Sequence, residues 1–127
     1  YKGTPELLTA LSERSIPLTV FSNKPDVFTR KVISTLLPDW SFNRVVGALE
    51  GVPKKPHPAG ALKIASDLDI APESFLYVGD TNTDMQTAVA AGMYPVGVLW
   101  GFRSSGELTD AGAKTLIAHP LELLDLL

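Results

Sequence analysis

The stretch Phe75-Leu76-Tyr77-Val78-Gly79-Asp80-Thr81-Asn82-Thr83-Asp84 constrains the fold more than any other part of the chain. Its four leading apolar residues predict a buried strand over Phe75 to Val78. Gly79 and the Asp80 carboxylate end that strand, and a second carboxylate, Asp84, follows four residues on. The small-residue run Ala88 to Ala91 predicts a helix over Asp84 to Ala91, stopped at Gly92. A strand that delivers an acid to its C-terminal tip, just before a helix, is how open parallel α/β sheets build ligand sites. Two acids at such a tip suit a hard cation such as Mg²⁺, which takes one or two protein carboxylates and leaves positions for phosphate oxygens. The same two acids also suit a plainer role, as favourable negative charge at a helix N-terminus.

The rest of the chain repeats the alternation of apolar run and amphipathic stretch. Thr4-Pro5-Glu6 predicts a helix start with Thr4 as cap, and Leu7, Leu8 and Leu11 form its apolar face until Pro17. Leu18 to Phe21 predicts a short strand ending in Ser22-Asn23. After Pro25 a second helix places Phe28, Val32 and Leu36 at four-residue spacing. Val45-Val46 is the weakest strand signal. Pro58 opens a third helix, with Ala61, Leu62, Ala65 and Leu68 on one face. Tyr94 to Trp100 predicts another strand, Glu107 to Ala111 a short helix, Thr115 to Ile117 a strand, and Pro120 to Leu127 a last helix. Strands alternating with helices of this length predict an α/β fold: a three-layer α/β/α sandwich around a Rossmann-like parallel sheet.

Composition bounds the function classes. The chain's 127 residues make one domain, and 45% hydrophobic content is enough to bury a core. A formal net charge of −3 gives no basic footprint for nucleic acid. No run of 18 apolar residues marks a membrane span. No basic segment followed by an apolar run opens the chain as a secretion signal. With no cysteine there are neither disulfides nor thiolate metal sites. A soluble, cytoplasmic protein is the expectation.

Two further features accompany the paired acids. Ser22-Asn23 offers a hydroxyl and backbone N–H groups at a strand tip before a helix, an arrangement that suits an anion or a simple helix cap. Lys55, in Lys54-Lys55-Pro56-His57-Pro58, is flanked by prolines that stiffen its backbone and help aim its ammonium. A point cation there neutralises a transferring phosphoryl group, or is merely a solvated loop lysine. His57 has no second histidine or glutamate paired with it locally and is read as a bystander, and His119 as a surface or turn residue. All three polar groups fall at one edge of the predicted sheet, which favours a phosphate-plus-metal site.

Phe21-Ser22-Asn23-Lys24-Pro25, Lys55-Pro56-His57-Pro58 and Gly79-Asp80-Thr81-Asn82-Thr83-Asp84 resemble the second, third and fourth motifs of the haloacid dehalogenase (HAD) superfamily. Ala88 to Met93 and Pro120-Leu121-Glu122-Leu123-Leu124 are most similar to its phosphoglycolate phosphatase branch. The resemblance implies a Mg²⁺-dependent hydrolase of a small phosphorylated metabolite, working through an aspartyl-phosphate. It implies that Ser22 hydrogen-bonds the phosphoryl oxygens and that the Asn23 backbone N–H helps hold them. Lys55 would stabilise the phosphoryl group and its attacking carboxylate. Asp80 would ligate the metal. Asp84 would hold the metal's water shell or orient Lys55.

One departure outweighs these matches. The superfamily's first motif, Asp-x-Asp-Gly-Thr at the tip of the first strand, supplies the nucleophile and the general acid–base, and it is absent. The one Asp-x-Asp, Asp67-Leu68-Asp69, ends a helical pattern and lacks the Gly-Thr. Tyr1-Lys2-Gly3-Thr4-Pro5 looks like the segment by which the family's helical cap returns to the core. The chain is therefore expected to be the C-terminal part of a HAD-like core over residues 1–127, a truncation without first strand or cap, and inactive by itself. The missing strand belongs between the Leu18 and Phe75 strands, where a bound or swapped strand is the favoured completion. Two rivals keep the same motifs: a sugar phosphomutase-type phosphotransferase, and a non-catalytic module that binds a phosphorylated ligand or partner.

Overall fold

The computed structural model describes residues 2–127; Tyr1 of the expected cap-return segment lies outside them. Strands and helices alternate along the chain. Strands β1 (Thr19–Pro25) and β2 (Arg44–Ala48) form a parallel pair, and β3 (Leu76–Gly79), β4 (Tyr94–Val98) and β5 (Thr115–Ile117) form a parallel sheet in that order. Helices α1 (Thr4–Glu13), α2 (Asp26–Leu36), α3 (Ala59–Leu68), α4 (Asn82–Ala91) and α5 (Ser105–Asp110) flank them. No helix among the described residues is long and apolar enough to cross a membrane.

The core divides by sheet face, because successive strand residues point to opposite sides. Val96 and Val98 of β4 join Leu11 of α1, Ile117 and Leu123 on one face. Ala61 and Ala65 of α3, Ala88 and Ala91 of α4, and Met93 form the other cluster, which Phe21, Phe75 and Tyr77 extend. The three-layer α/β/α reading holds, but the single sheet does not. β1 and β3 are not paired. They flank a cavity of about 90 Å³ lined by Thr19 and Phe21 on one side and Leu76 to Val78 on the other, with Ala61 and Ile64 of α3 beneath. Val78, expected to be buried on both faces, is 42% exposed. No strand among the described residues fills this cleft, so the expected bound or swapped strand is not seen.

Two helices present different faces from those their spacing predicts. The α2 face of Phe28, Val32 and Leu36 is only half right: Phe28 is 51% and Leu36 70% exposed, and Thr29 is buried instead. The cause is a close approach. A Cβ on Gly47 of β2 would lie 2.6 Å from Thr29 Oγ1 and from Asp26 Cα, so the helix turns that side inward. Gly47 N–H then donates to Asp26 Oδ1 at 2.9 Å, and Thr29 Oγ1 donates to the Lys24 and Pro25 carbonyls. In α3, Gly60 sits on the Phe21 ring, where a Cβ would come within 2.4 Å of the ring's Cζ. That contact sets the helix rotation: Gly60, Ala61, Ile64 and Ala65 face inward, and Leu62, two residues or about 200° further round, is left exposed.

The remaining corrections concern element ends. Gly3, at φ 96°, caps α1, and Thr4 is its first helical residue. α1 ends at Glu13, with Ser15 left-handed, before Pro17 is reached. β1 runs on through Ser22 and Asn23 to Pro25, with its register broken between Phe21 and Pro25. Phe75 precedes β3 rather than opening it, and β4 stops at Val98. α4 starts at Asn82, which puts Asp84 at its third position, and α5 spans Ser105–Asp110 rather than Glu107 to Ala111. The C-terminal Pro120–Leu126 is a 3₁₀ helix, its start tied by His119 Nδ1, which accepts from the Leu121 N–H.

Asp26 carries a testable consequence. The Gly47 N–H, followed by the Arg30 guanidinium at 2.7 Å, holds its carboxyl below the ordinary carboxylate range despite partial burial. A lowered folded-state pKa stabilises the fold at pH above the ordinary value, and that stability is lost as pH falls through the lowered one. Thermal melts of wild type and Asp26→Asn are expected to show a lower Tm for the variant at neutral pH. The gap should narrow as pH drops through the acid range. A constant gap down to strongly acid pH would show that the Asp26 charge is not what holds β2 to α2.

Candidate active site

The C-terminal tips of β1 and β3, with the loop before α3, converge on one lysine. Lys55 Nζ lies 2.8 Å from Asp84 Oδ1, donates to the Phe21 carbonyl at 3.3 Å, and stands 5.4 Å from the Phe21 ring centroid. The Lys55 and Asp84 side chains are only 11% and 12% exposed. A buried ammonium needs both a countercharge and hydrogen-bond acceptors, and this one has them. Its backbone is fixed as well. The Asn23 side-chain amide brackets it, donating to the Lys55 carbonyl at 3.2 Å and accepting from the Lys55 N–H at 3.0 Å. The Lys55–Pro56 bond is cis.

The two acids have different jobs. Asp84 spends both carboxylate oxygens inside the protein: Oδ1 takes Lys55, and Oδ2 accepts the Asp80 N–H at 3.2 Å. Its own N–H donates to Thr81 Oγ1 at 3.1 Å, so Thr81 caps α4 and the helix presents Asp84 inward. Of the two roles the family resemblance allows Asp84, the geometry favours orienting Lys55. Asp80, at the very tip of β3, makes no side-chain hydrogen bond to another described residue in this arrangement. It lies against the backbone of the loop after β4: a Cβ on Gly101 would come within 2.7 Å of Asp80 Oδ2. Asp80 is thus the carboxylate left to hold a cation, with oxygen-only chemistry that fits Mg²⁺. The described residues contain no cluster of three or more His, Cys, Asp or Glu around it.

Ser22 and Asn23 sit on β1 beside this centre. Ser22 does not cap α2; its Oγ accepts the Lys24 N–H at 3.1 Å, which orients the hydroxyl at the strand tip. His57 Nδ1 accepts the Ala59 N–H at the start of α3. Behind the site, burial and the Asp84 charge push the Tyr77 phenol well above its usual pKa, with Thr87 offsetting this only in part, so Tyr77 is neutral. Asn82 Oδ1 is buried without a hydrogen-bond partner in the first turn of α4. Sequence reasoning missed Gly101 and the Phe21 carbonyl. No side chain announces a carbonyl acceptor, and Gly101 reads only as a turn after a strand.

The division of labour predicts separable effects. Asp84→Asn removes the countercharge of a buried lysine, so it should lower stability by roughly 3–5 kcal/mol. Asp80→Asn should leave stability nearly unchanged but weaken Mg²⁺ binding more than Asp84→Asn does. Chemical denaturation and calorimetric Mg²⁺ titration of the two variants measure both quantities. A larger loss of Mg²⁺ affinity in Asp84→Asn would reverse the assignment.

Comparison with known proteins agrees with this geometry. Residues 1–98 match the family model described as haloacid dehalogenase-like hydrolase. The chain is 36% identical over 112 residues to the phosphoglycolate phosphatase of Escherichia coli (strain K12), an alignment that takes in 88% of the chain and 44% of that relative. The chain thus spans less than half the length of this curated relative. Its fold superposes with TM-score 0.92, at 29% identity, on a protein of Lactobacillus delbrueckii subsp. bulgaricus provisionally assigned as a phosphoglycolate phosphatase, covering 99% of the chain and 52% of that structure. A Thermotoga maritima protein provisionally assigned as a β-phosphoglucomutase shares the fold at TM-score 0.86 and 23% identity, over 99% of the chain and 58% of that structure. With a family model matching most of its length and its three motif segments gathered at one sheet edge, the chain belongs to the haloacid dehalogenase-like hydrolases.

Proposed function

We propose that residues 1–127 form the C-terminal part of the core of a Mg²⁺-dependent phosphatase that hydrolyses a small phosphate monoester of the phosphoglycolate type through an aspartyl-phosphate. The observation that carries this reading is the buried Lys55–Asp84 pair beside the unengaged Asp80 carboxylate. A fixed cation next to a free acid at a strand tip is what a phosphoryl group and its metal require. The curated relative's name supplies the phosphoglycolate class.

In this reading Lys55 neutralises charge on the transferring phosphoryl group. Asp84 and the Phe21 carbonyl hold the ammonium in place before substrate arrives, so no reorganisation is needed as charge develops. The Ser22 hydroxyl and the Asn23 N–H hold phosphoryl oxygens. Asp80 holds Mg²⁺, which when bound draws charge from the phosphoryl oxygens and sets their orientation. The nucleophilic Asp lies on a strand of the parent chain that fills the cleft between β1 and β3. The cleft supports that placement: it lies between the two strands, is lined largely by apolar side chains, and is bordered by Phe21, whose carbonyl accepts from Lys55. A sugar phosphomutase would use the same groups but pass the phosphoryl to a sugar hydroxyl instead of water.

The 127-residue chain alone is expected to show no turnover of p-nitrophenyl phosphate or phosphoglycolate, with or without Mg²⁺, because covalent transfer needs a positioned nucleophile. In the full-length protein, Lys55→Ala should lower kcat by about 10²- to 10³-fold, the usual loss for a preorganised charge stabiliser. Release of inorganic phosphate under steady-state conditions measures both. Turnover by the short chain that Lys55→Ala abolishes would overturn the placement of the nucleophile outside it. Phosphoryl transfer to an added sugar phosphate in preference to water would favour the phosphomutase.

A further inference from the structure

A second cavity lies beside Ser22 and Asn23, between α3 and the outer strand β2. It has a volume of about 190 Å³, below the about 300–1,000 Å³ of sites that take drug-sized ligands. Its floor is apolar: Val46 of β2, Ile64 of α3, and Val52 of the loop that follows β2. Its rim is cationic. Arg44, Lys63, Lys54 and Arg30 all line it, and Asp67 is the one acid on the lining among the described residues.

The charges on this rim do not balance. Arg44 and Lys63 share the single Asp67 carboxylate, at 3.8 Å and 3.3 Å. Arg30 has its own partner in Asp26, outside the lining. Lys54 has no ion pair among the described residues and is exposed. The rim therefore keeps about two positive charges that no protein group answers, around a concave apolar floor. Val46 and Val52 lie beneath these cations, so one concave surface offers both apolar contact and unanswered positive charge.

The same loop also links this cavity to the catalytic lysine. Lys54 is the neighbour of Lys55, and Asn23, which lines the cavity, brackets the Lys55 backbone from its other side.

We propose that this α3–β2 cavity is a binding site for a small anion with a flat apolar body, a carboxylate or a phosphate ester, sharing Ser22 and Asn23 as a wall with the proposed catalytic phosphate position but held by its own cationic rim rather than by Lys55. The anionic group meets Arg44, Lys63 and Lys54, and the apolar body covers Val46 and Val52. A ligand seated there presses on the segment that fixes Lys55 and so can tune the active site without entering it. The assignment rests on charge and shape at this cavity alone and stands whichever reaction the neighbouring site performs.

The test uses 2-naphthoate, whose carboxylate does not mimic a phosphoryl group, added to the full-length protein. Backbone amide NMR and the probe's own fluorescence report where and how tightly it binds. Shifts are expected at Val46, Leu49, Val52 and Lys63. Arg44→Glu combined with Lys63→Glu should weaken binding about tenfold or more, since a charge-assisted contact is both removed and reversed. Lys54→Glu, at an exposed loop position, serves where the double variant fails to fold. Neutral 2-naphthalenemethanol should bind at least tenfold more weakly.

Four results would each overturn the proposal. One is equal binding of the neutral analogue. Another is a set of shifts confined to residues 19–21 and 75–78, which would assign the probe to the strand cleft. A third is binding lost in Lys55→Ala but kept in the rim variants, which would assign it to the catalytic site. The last is no binding of 2-naphthoate at all.

Discussion

The Lys55–Asp84 ion pair is the interaction on which the rest of this structure depends. β1 and β3 share no hydrogen bonds, so the β1–β2 pair and the β3–β4–β5 sheet are joined at their active edge by side chains. Lys55 reaches both halves at once, bonding the Phe21 carbonyl of β1 and the Asp84 carboxylate of α4, the helix that follows β3. Contacts of α3 with α4 and with β1 close the same seam from one face. Two groups this buried cost several kcal/mol each to desolvate, and that cost is recovered only with good geometry and further hydrogen bonds. Here the further bonds are present: Asp80 N–H on Asp84, Phe21 carbonyl on Lys55, and Asn23 on the Lys55 backbone. The bond that holds the seam is also the one that aims the cation.

Close backbone approach sets much of the remaining architecture. Gly60 lets α3 sit on the Phe21 ring, and Gly47 lets α2 drop against β2. Both helices are rotated by these contacts more than by their own apolar periodicity. Each mean pattern is amphipathic in the expected sense, yet the residues that end up buried include a glycine and a threonine in place of a leucine and a phenylalanine. A steric minimum at one point along a ten-residue helix fixes the rotation of all of it.

This explains what was legible in the sequence and what was not. Element order, strand direction and the convergence of Ser22, Lys55, Asp80 and Asp84 at one edge followed from alternating apolar runs and from acids placed at strand tips. Such signals are local, and each residue carries its own share. The buried faces of α2 and α3 depended on Gly60 meeting Phe21 and on Gly47 meeting Thr29. Those contacts join residues far apart in sequence, and glycine leaves no hydrophobic mark. The extension of β1 through Ser22 and Asn23 was hidden for a related reason. These polar residues read as the strand's end before a helix, but the strand pairing with β2 resumes at Pro25 after a register break. Asp80's place at a strand tip and Asp84's in the following helix already set the two acids apart in the sequence; what stayed hidden is that Lys55 and the Asp80 N–H occupy both Asp84 oxygens.

The open cleft links the fold to the proposed chemistry. A parallel strand seated between β1 and β3 would bond along two edges, cover Val78 and Thr19, and unite the two sheets into one. Its C-terminal end would emerge beside Lys55 and Asp80, at the sheet edge where open α/β folds hold their ligands. Apolar burial along the strand would then supply the free energy that brings an acid toward the Asp80 carboxylate, a juxtaposition that like charge alone disfavours. Lys55 tempers that repulsion, and Asp84 keeps Lys55 from being drawn away by the newcomer. Completion of the sheet and completion of the active site would therefore be a single thermodynamic event, with the Lys55–Asp84 pair as the part assembled beforehand.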